Sequence, residues 1–107
     1  MAETIANQIG LTDKEMAYIL NISERTYRRN QADSVLDYQA SERLLLLSDL
    51  VEHGLSVFDG RADVLNHWLR SSLPELGRQT PLALLDSVSG FGLVDDVLGR
   101  IEHGVFS

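Results

Sequence analysis

Apolar residues recur along this chain at intervals of three and four, which is the spacing of one face of an α-helix. The clearest stripe lies near the end of the sequence, at Val94, Val97, Leu98 and Ile101. No segment shows the alternation of apolar and polar residues that a half-buried strand requires. The pattern therefore predicts an all-α protein.

Capping residues set the expected bounds of the first two helices. Residues 2–9 are predicted to form a short helix that ends at Gly10. Thr12, with Glu15 three residues later, has the spacing of a capping box and predicts the start of a second helix. That helix is expected to end near Asn21, because asparagine tolerates left-handed backbone geometry.

Two further helices are predicted before the middle of the chain. Ser23 is expected to cap a helix that runs to about residue 31, and Asp37 to cap a longer helix after a loop at residues 32–36. Apolar residues cover more than one face of the long helix, at Leu44, Leu45, Leu46, Leu47, Leu50 and Val51. Such a helix is either central to the fold or buried on two sides, one of them by another chain.

Glycine and proline divide the second half of the chain. Asp59 is expected to cap the next helix, and Pro81 to begin a short one, since proline is favoured in a first helical turn. Gly90 and Gly92 are interpreted as a break, after which the last helix runs to Gly104.

Residues 11–30 contain the parts of a helix-turn-helix. Ala17 is small enough to let a second helix cross closely, and Asn21 suits the turn between the helices. Ile22 and Tyr27 are expected to face the small core that the two helices enclose. The segment is therefore interpreted as a helix-turn-helix.

Arginines line one face of the second helix of this segment. Arg25, Arg28 and Arg29 fall at helical spacing, and arginine pairs in bidentate fashion with guanine in the major groove. Ser23 and Thr26, near the start of the helix, are expected to meet phosphates or base edges. A DNA-binding helix is predicted, and the alternative is an ordinary helical hairpin with a solvated arginine face.

The overall charge limits where nucleic acid can bind. A net charge of −7 excludes general coating of nucleic acid, because phosphate contacts need local positive charge. The arginines lie in a stretch without acids, residues 25–32, so any DNA contact is expected there. Cysteine is absent from the sequence, which excludes disulfides and thiolate sites, and no leader or membrane span is recognised. A cytoplasmic protein is expected.

The sequence offers an enzyme little support. The histidines, His53, His67 and His103, are far apart along the chain and lack the spacing of paired metal ligands. No serine has a nucleophile-elbow pattern, and no glycine-rich loop follows a strand. No catalytic residue, metal site or cofactor is therefore expected.

An ordered series of aromatic, proline, glycine and charged residues runs through the second half. Its members are Trp68-Leu69, Pro74, Leu76-Gly77, Thr80-Pro81-Leu82, Leu84-Leu85, Gly90, Val94, Leu98 and Arg100-Ile101-Glu102-His103-Gly104. The series resembles the toxin-binding domain that the Xre, MbcA and ParS antitoxins share, over residues 57–107. Residues 1–56 resemble the Xre-type helix-turn-helix of the same antitoxins, so a boundary near residue 56 is expected. From the residues alone, Trp68 and the last apolar stripe are interpreted as core.

The resemblance implies a toxin partner. Members of that family pair with RES-domain toxins, which have an ADP-ribosyltransferase-like fold and deplete NAD. The last helix and tail are then expected to lie over the toxin's active-site cleft and bar its cofactor. The outward-facing residues expected to bind the toxin are Arg100, Glu102, His103, Gly104, Val105 and Phe106.

The resemblance also implies a homodimer that binds operator DNA and represses its own operon. Only ten residues precede the helix that begins near Thr12, whereas relatives commonly carry a longer N-terminal region. The DNA-binding half is therefore expected to be abbreviated. The alternative reading of the residues is a stand-alone helix-turn-helix transcriptional regulator whose second half serves dimerisation or another ligand.

Overall fold

The computed structural model describes residues 1–33 and 36–104, and within them the chain is all-α, as predicted. The α-helices in these two ranges are α1 (Ala2–Ile9), α2 (Asp13–Leu20), α3 (Glu24–Asp33), α4 (Tyr38–Val57), α5 (Ala62–Leu69) and α6 (Val88–His103). Two 3-10 turns, Pro74–Leu76 and Leu82–Asp86, connect α5 to α6. None of the helices in the described ranges is long and apolar enough to cross a membrane.

The capping residues fix the first two helices where the sequence predicts them. Gly10 ends α1 in the left-handed conformation, with φ 73°. Thr12 and Glu15 form the predicted capping box, in which the Thr12 hydroxyl accepts from the Glu15 backbone N–H and the Glu15 carboxylate accepts from that of Thr12. Asn21, with φ 58°, ends α2 as expected.

α4 is the central helix of the structure. The Asp37 carboxylate caps it by accepting from the Ala40 backbone N–H at 2.7 Å, as predicted. The helix contacts α1, α2, α5 and α6. Its buried residues are Ala40, Leu44, Leu47, Leu50, Val51 and Gly54. Leu45, by contrast, is 57 % exposed, so the helix is central to the fold but has an apolar side chain that faces solvent.

Two expectations for the second half are wrong. Asp59 does not cap α5: it adopts φ 58° and, with Gly60, forms the turn after α4, while Arg61 precedes α5. Gly90 and Gly92 do not break the chain, because both lie inside α6. α6 begins instead at Ser87, whose hydroxyl accepts from the Gly90 backbone N–H.

Gly90 is required by a close approach and not by a bend. A Cβ at this position would lie 1.6 Å from the backbone oxygen of Leu84, which belongs to the 3-10 turn before α6. Only glycine lets the first turn of α6 pack this closely against that turn. A Cβ at Gly92, by contrast, would lie in open space.

Polar side chains of the second half bond to the ends of the first helices. Asn66 Nδ2 on α5 donates to the Ile9 and Gly10 carbonyl oxygens, at 2.7 and 3.1 Å, and so caps the end of α1. Arg70, just after α5, binds the Glu15 carboxylate and the Gly10 carbonyl oxygen. The Arg70 guanidinium thereby lowers the pKa of Glu15.

The start of α4 makes a second link. Arg43 Nη1 donates to the Asp86 carbonyl oxygen at 2.8 Å and to that of Ile19 at 3.3 Å, which joins α4 to the ends of α2 and of the second 3-10 turn. The Tyr18 hydroxyl donates to the Ala83 carbonyl oxygen. Buried residues from both halves form one hydrophobic cluster, so the two halves share a core.

Candidate DNA-binding and partner-binding surfaces

α2 and α3 pack as a helix-turn-helix. The Ile22 backbone N–H donates to the Ala17 carbonyl oxygen at 3.0 Å, and that of Asn21 donates to the Tyr18 carbonyl oxygen at 3.2 Å, which closes α2. Ala17 is buried, and Tyr27 is 1 % exposed, so both face inward as predicted. The packing of α3 therefore leaves its opposite face, which carries the arginines, on the surface.

The hydroxyls at the start of α3 are engaged in capping. The Ser23 hydroxyl accepts from the Thr26 backbone N–H at 3.0 Å and donates to the Thr26 hydroxyl at 2.8 Å. Both side chains retain acceptor capacity toward a ligand. These two predicted DNA contacts thus stand together at the N-terminal turn of α3.

The three arginines of α3 are exposed but not equivalent. Arg28 forms an ion pair with Glu24 on its own helix, and its Nε lies 3.5 Å from Asp13 Oδ2 on α2. Arg25 and Arg29 make no ion pair with any residue in the described ranges. The positive charge available to a phosphate or a base is therefore concentrated on Arg25 and Arg29.

Lys14 is a candidate that the sequence reasoning missed. It lies on the first turn of α2, next to the Asp13 that Arg28 reaches, and it is exposed. Lys14 forms no ion pair with a residue in the described ranges, so it is a further exposed cation next to a residue that Arg28 contacts. The contact between Arg28 and Asp13 links α3 to the first turn of α2, and no pattern within a single helix reveals it.

The predicted toxin-binding residues that the structure describes occupy the last turn of α6. Arg100, Glu102 and His103 are exposed, and Gly104 ends the helix in the left-handed conformation, with φ 66°. Val105 and Phe106 lie outside the described residues. This end of the helix offers charged groups of both signs to a partner.

His53 joins α4 to α6 at this surface, and the sequence reasoning did not identify it. Its Nδ1 lies 2.6 Å from Asp95 Oδ1, and its Nε2 lies 3.1 Å from Glu102 Oε1. The bond to Asp95, and secondarily that to Glu102, raises the pKa of His53 against the opposing effect of its burial. His53 is separated from its partners by 42 and 49 residues, so no local pattern reveals the contact.

An open depression of about 610 Å³ adjoins this cluster. It is lined by His53, Asp95, Asp96, Gly99, Arg100, Glu102 and His103. His53 and His103, which are far apart along the chain, both line this depression and both approach Glu102. In the described part of the chain no group of three or more potential ligands is arranged to hold a metal ion.

The predicted core residues of the second half are buried to different degrees. Val94, Val97 and Leu98 of the apolar stripe on α6 are buried, as expected, whereas Ile101 is only half-buried. Trp68 is only half-buried and packs against the ring of Phe58, with 5.9 Å between the ring centroids. It borders the core and does not lie at its centre.

Comparison with known proteins identifies relatives of both halves. The family model described as "Antitoxin Xre-like helix-turn-helix domain" matches residues 1–48. The model described as "Antitoxin Xre/MbcA/ParS C-terminal toxin-binding domain" matches residues 53–104. The two matches place the arginine surface in the first region and the depression beside α6 in the second.

Three curated proteins are similar over most of this chain. An "Antitoxin Xre" of Photorhabdus laumondii is 32% identical over 90 residues, which are 83% of this chain and 61% of the relative. An "Antitoxin Xre" of Yersinia enterocolitica is 31% identical over 75% of this chain and 54% of its own length. A "Prs ADP-ribosylating antitoxin" of a Sphingobium species is 33% identical over 88% of this chain and 65% of its own length.

The chain thus spans between about half and two thirds of the length of these relatives. Within that span it carries both regions, one after the other and joined by a shared core. The chain belongs to the family of antitoxins that combine an Xre-like helix-turn-helix with the Xre/MbcA/ParS C-terminal domain.

Proposed function

We propose that this protein is an antitoxin that binds a toxin through the end of α6 and binds the operator of its own operon through α3. The observation that carries the proposal is the match of residues 53–104 to a toxin-binding domain, together with the exposed, charged last turn of α6 in that region. The exposed arginines of α3 support the second activity.

The proposed partner is a RES-domain toxin that depletes NAD. The name of one relative refers to ADP-ribosylation, a reaction that consumes NAD, and this agrees with a partner that acts on NAD. The proposed mode of neutralisation is that the antitoxin keeps the cofactor out of the toxin's active site. The exposed last turn of α6 and residues 105–107 are the part of the chain proposed to cover that cleft.

Co-expression with a RES-domain toxin encoded beside this gene tests the toxin partner. The wild-type chain should restore growth and cellular NAD. A chain that lacks residues 105–107, and one with Arg100→Ala and His103→Ala together, should restore less. Arg61→Ala is the matched control, because Arg61 is an exposed arginine of the same region whose ion pair with Asp63 lies at the surface.

Failure of the wild-type chain to protect cells from this toxin would contradict the proposal. Protection by the truncated chain equal to that of the wild type would remove the role proposed for the tail. If DNA binding persists without any protection, the chain acts instead as a stand-alone regulator.

Operator binding is proposed for the face of α3 that carries Arg25 and Arg29, with Lys14 on α2 as a further exposed cation. Three cations without ion-pair partners among the described residues suit contacts to phosphates and to guanine edges. Fluorescence anisotropy with DNA from upstream of the gene should show binding that Arg25→Ala and Arg29→Ala together abolish. Binding that persists in this variant would place the DNA contact elsewhere.

A homodimer in the cytoplasm is the proposed form, since an operator-binding protein works where the DNA is. Leu45, exposed on the outer side of α4, and Tyr38, which is 77 % exposed at its start, support a subunit contact there. Light scattering on the purified protein should give the mass of two chains, and Leu45→Glu should reduce it to one. A single-chain mass for the wild type would refute the dimer.

A further inference from the structure

His53 bridges two carboxylates that lie two turns apart on α6. Asp95 and Glu102 are separated by seven residues, so both project toward the same side of the helix. The imidazole stands between them with one ring nitrogen within hydrogen-bond distance of each. Only 24 % of the His53 side chain is exposed, which restricts how its ring can turn away.

The two contacts require two protons on the ring. A neutral imidazole carries one N–H and one lone pair, so it can donate to one carboxylate only. The other carboxylate would then face the lone pair, which repels it. The imidazolium donates to both and also offsets one of the two negative charges.

From this geometry we infer that His53 is a positioning residue that, in its imidazolium form, holds the second half of α6 against α4 and makes binding of a partner there depend on pH. The part of the inference that concerns partner binding rests on the proposed function, since Glu102 belongs to the turn that is proposed to meet the toxin. When the proton is lost, the contact to one carboxylate is lost with it. The last turn of α6 is then held less firmly against α4, and the side chains of that turn are less fixed in position.

The charges around His53 favour the protonated form. Asp95 and Glu102 touch the ring, and Asp96, Arg100 and His103 of α6 line the same depression. On α4 itself, Asp49 lies one turn before His53 and Glu52 precedes it. Negative groups outnumber positive ones in this set, which is consistent with a raised pKa of His53.

Nuclear magnetic resonance of the purified chain tests the inference without a partner. Ring nitrogen shifts should show that His53 loses its second proton at a pH above 6.5, the ordinary pKa of histidine. Amide protection factors, corrected for intrinsic exchange, should fall for residues 100–103 as the pH rises through the His53 titration, and not for residues 94–98. Protection that does not change as His53 titrates, or a His53 already neutral at about pH 6, would overturn the inference.

Three variants test whether the pH-dependent protection depends on the contacts of His53 with Asp95 and Glu102. Glu102→Gln and Asp95→Asn should each shift the His53 titration to lower pH, because each removes one acceptor charge. His53→Gln should remove the pH dependence of protection at residues 100–103. His67→Gln is the matched control, since His67 is an exposed histidine on α5, and it should leave that dependence in place.

Calorimetry with the toxin tests the part of the inference that concerns partner binding. The affinity for the toxin should fall by about threefold to tenfold as the pH rises through the His53 titration in the wild type, and it should remain level in His53→Gln. A difference of one between the pKa of His53 in the bound and in the free protein would correspond to a tenfold change in affinity. Equal pH dependence in both proteins would overturn this part. If the toxin does not bind at any pH, the proposed function fails, and the amide protection alone decides whether the bridge positions α6.

Discussion

Arg70, which follows α5, grips the carboxylate of Glu15 on α2 with both of its terminal nitrogens, one of them at 2.8 Å from Glu15 Oε1. Glu15 also completes the capping box of α2, and Arg70 also donates to the Gly10 carbonyl oxygen at the end of α1. One ion pair therefore fixes the end of α1, the start of α2 and the end of α5. Glu15 is 18 % exposed, so the pair is partly shielded from water.

The first prediction concerns the stability that this pair confers. Arg70→Ala should lower the free energy of unfolding by about 2 kcal/mol, since it removes charge-assisted hydrogen bonds and leaves a carboxylate and a carbonyl oxygen with fewer donors. Urea denaturation followed by circular dichroism measures the change. The control is Arg61→Ala, whose exposed pair with Asp63 should contribute less than about 1 kcal/mol. Equal losses in the two variants would contradict this account.

The second prediction follows from the lowered pKa of Glu15. A carboxyl group whose pKa is lower in the folded than in the unfolded state contributes stability above its unfolded pKa and loses it as the pH falls. The ordinary value for Glu15 is 4.5, so the contribution should be complete at neutral pH and should vanish as the pH falls below 4.5 through the folded value. Unfolding free energies across this range should fall less steeply in Glu15→Gln than in the wild type. Parallel curves would exclude Glu15 as a source of acid sensitivity.

The third prediction separates two glycines of one helix. Gly90→Ala should destabilise the protein by about 3 kcal/mol, because the new Cβ collides with the Leu84 carbonyl oxygen and α6 must shift. Gly92→Ala should stabilise it by about 0.5 to 1 kcal/mol, since Gly92 is helical with open space around it and alanine favours the helix. Thermal denaturation of the two variants measures both signs. A destabilised Gly92→Ala protein would show that this position packs more closely than the structure indicates.

The fourth prediction ranks the arginines of α3 in DNA binding. Arg25→Ala or Arg29→Ala should each reduce the dependence of log affinity on log salt concentration by about one, the change expected for one lost phosphate contact. Arg28→Ala should reduce it less, because the Arg28 charge is already offset by Glu24 and Asp13. Titrations at several salt concentrations provide the slopes. An Arg28 effect larger than the other two would mean that its ion pairs open on DNA.

The predictable part of the fold is the part that local chemistry determines. The capping box at Thr12 and Glu15, the left-handed Asn21 and the cap at Asp37 each depend on residues within one turn, and all three are confirmed. Asp59 has the composition of a cap but adopts φ 58° next to Gly60, since the end of α4 needs a left-handed turn there. Both uses of aspartate look alike in a sequence.

The contacts that the sequence did not predict involve residues far apart along the chain. The bond between His53 and Asp95 depends on how α4 packs against α6, and the approach of Gly90 to Leu84 depends on a 3-10 turn that places a carbonyl oxygen beside α6. A sequence does not distinguish a glycine that permits a close approach from a glycine that ends a helix. The neutralisation of Arg28 by Asp13 likewise appears only when α2 and α3 are packed together.

The central place of α4 has a consequence for protein engineering. This helix packs against α1 and α2 of the first half and against α5 and α6 of the second half, so both halves bury apolar surface on it. A chimera that joins the first half of one antitoxin to the second half of another would pack α4 of one parent against α5 and α6 of the other. Exchange of partner specificity should therefore succeed more readily when the inward residues of α4 are transplanted together with α5 and α6.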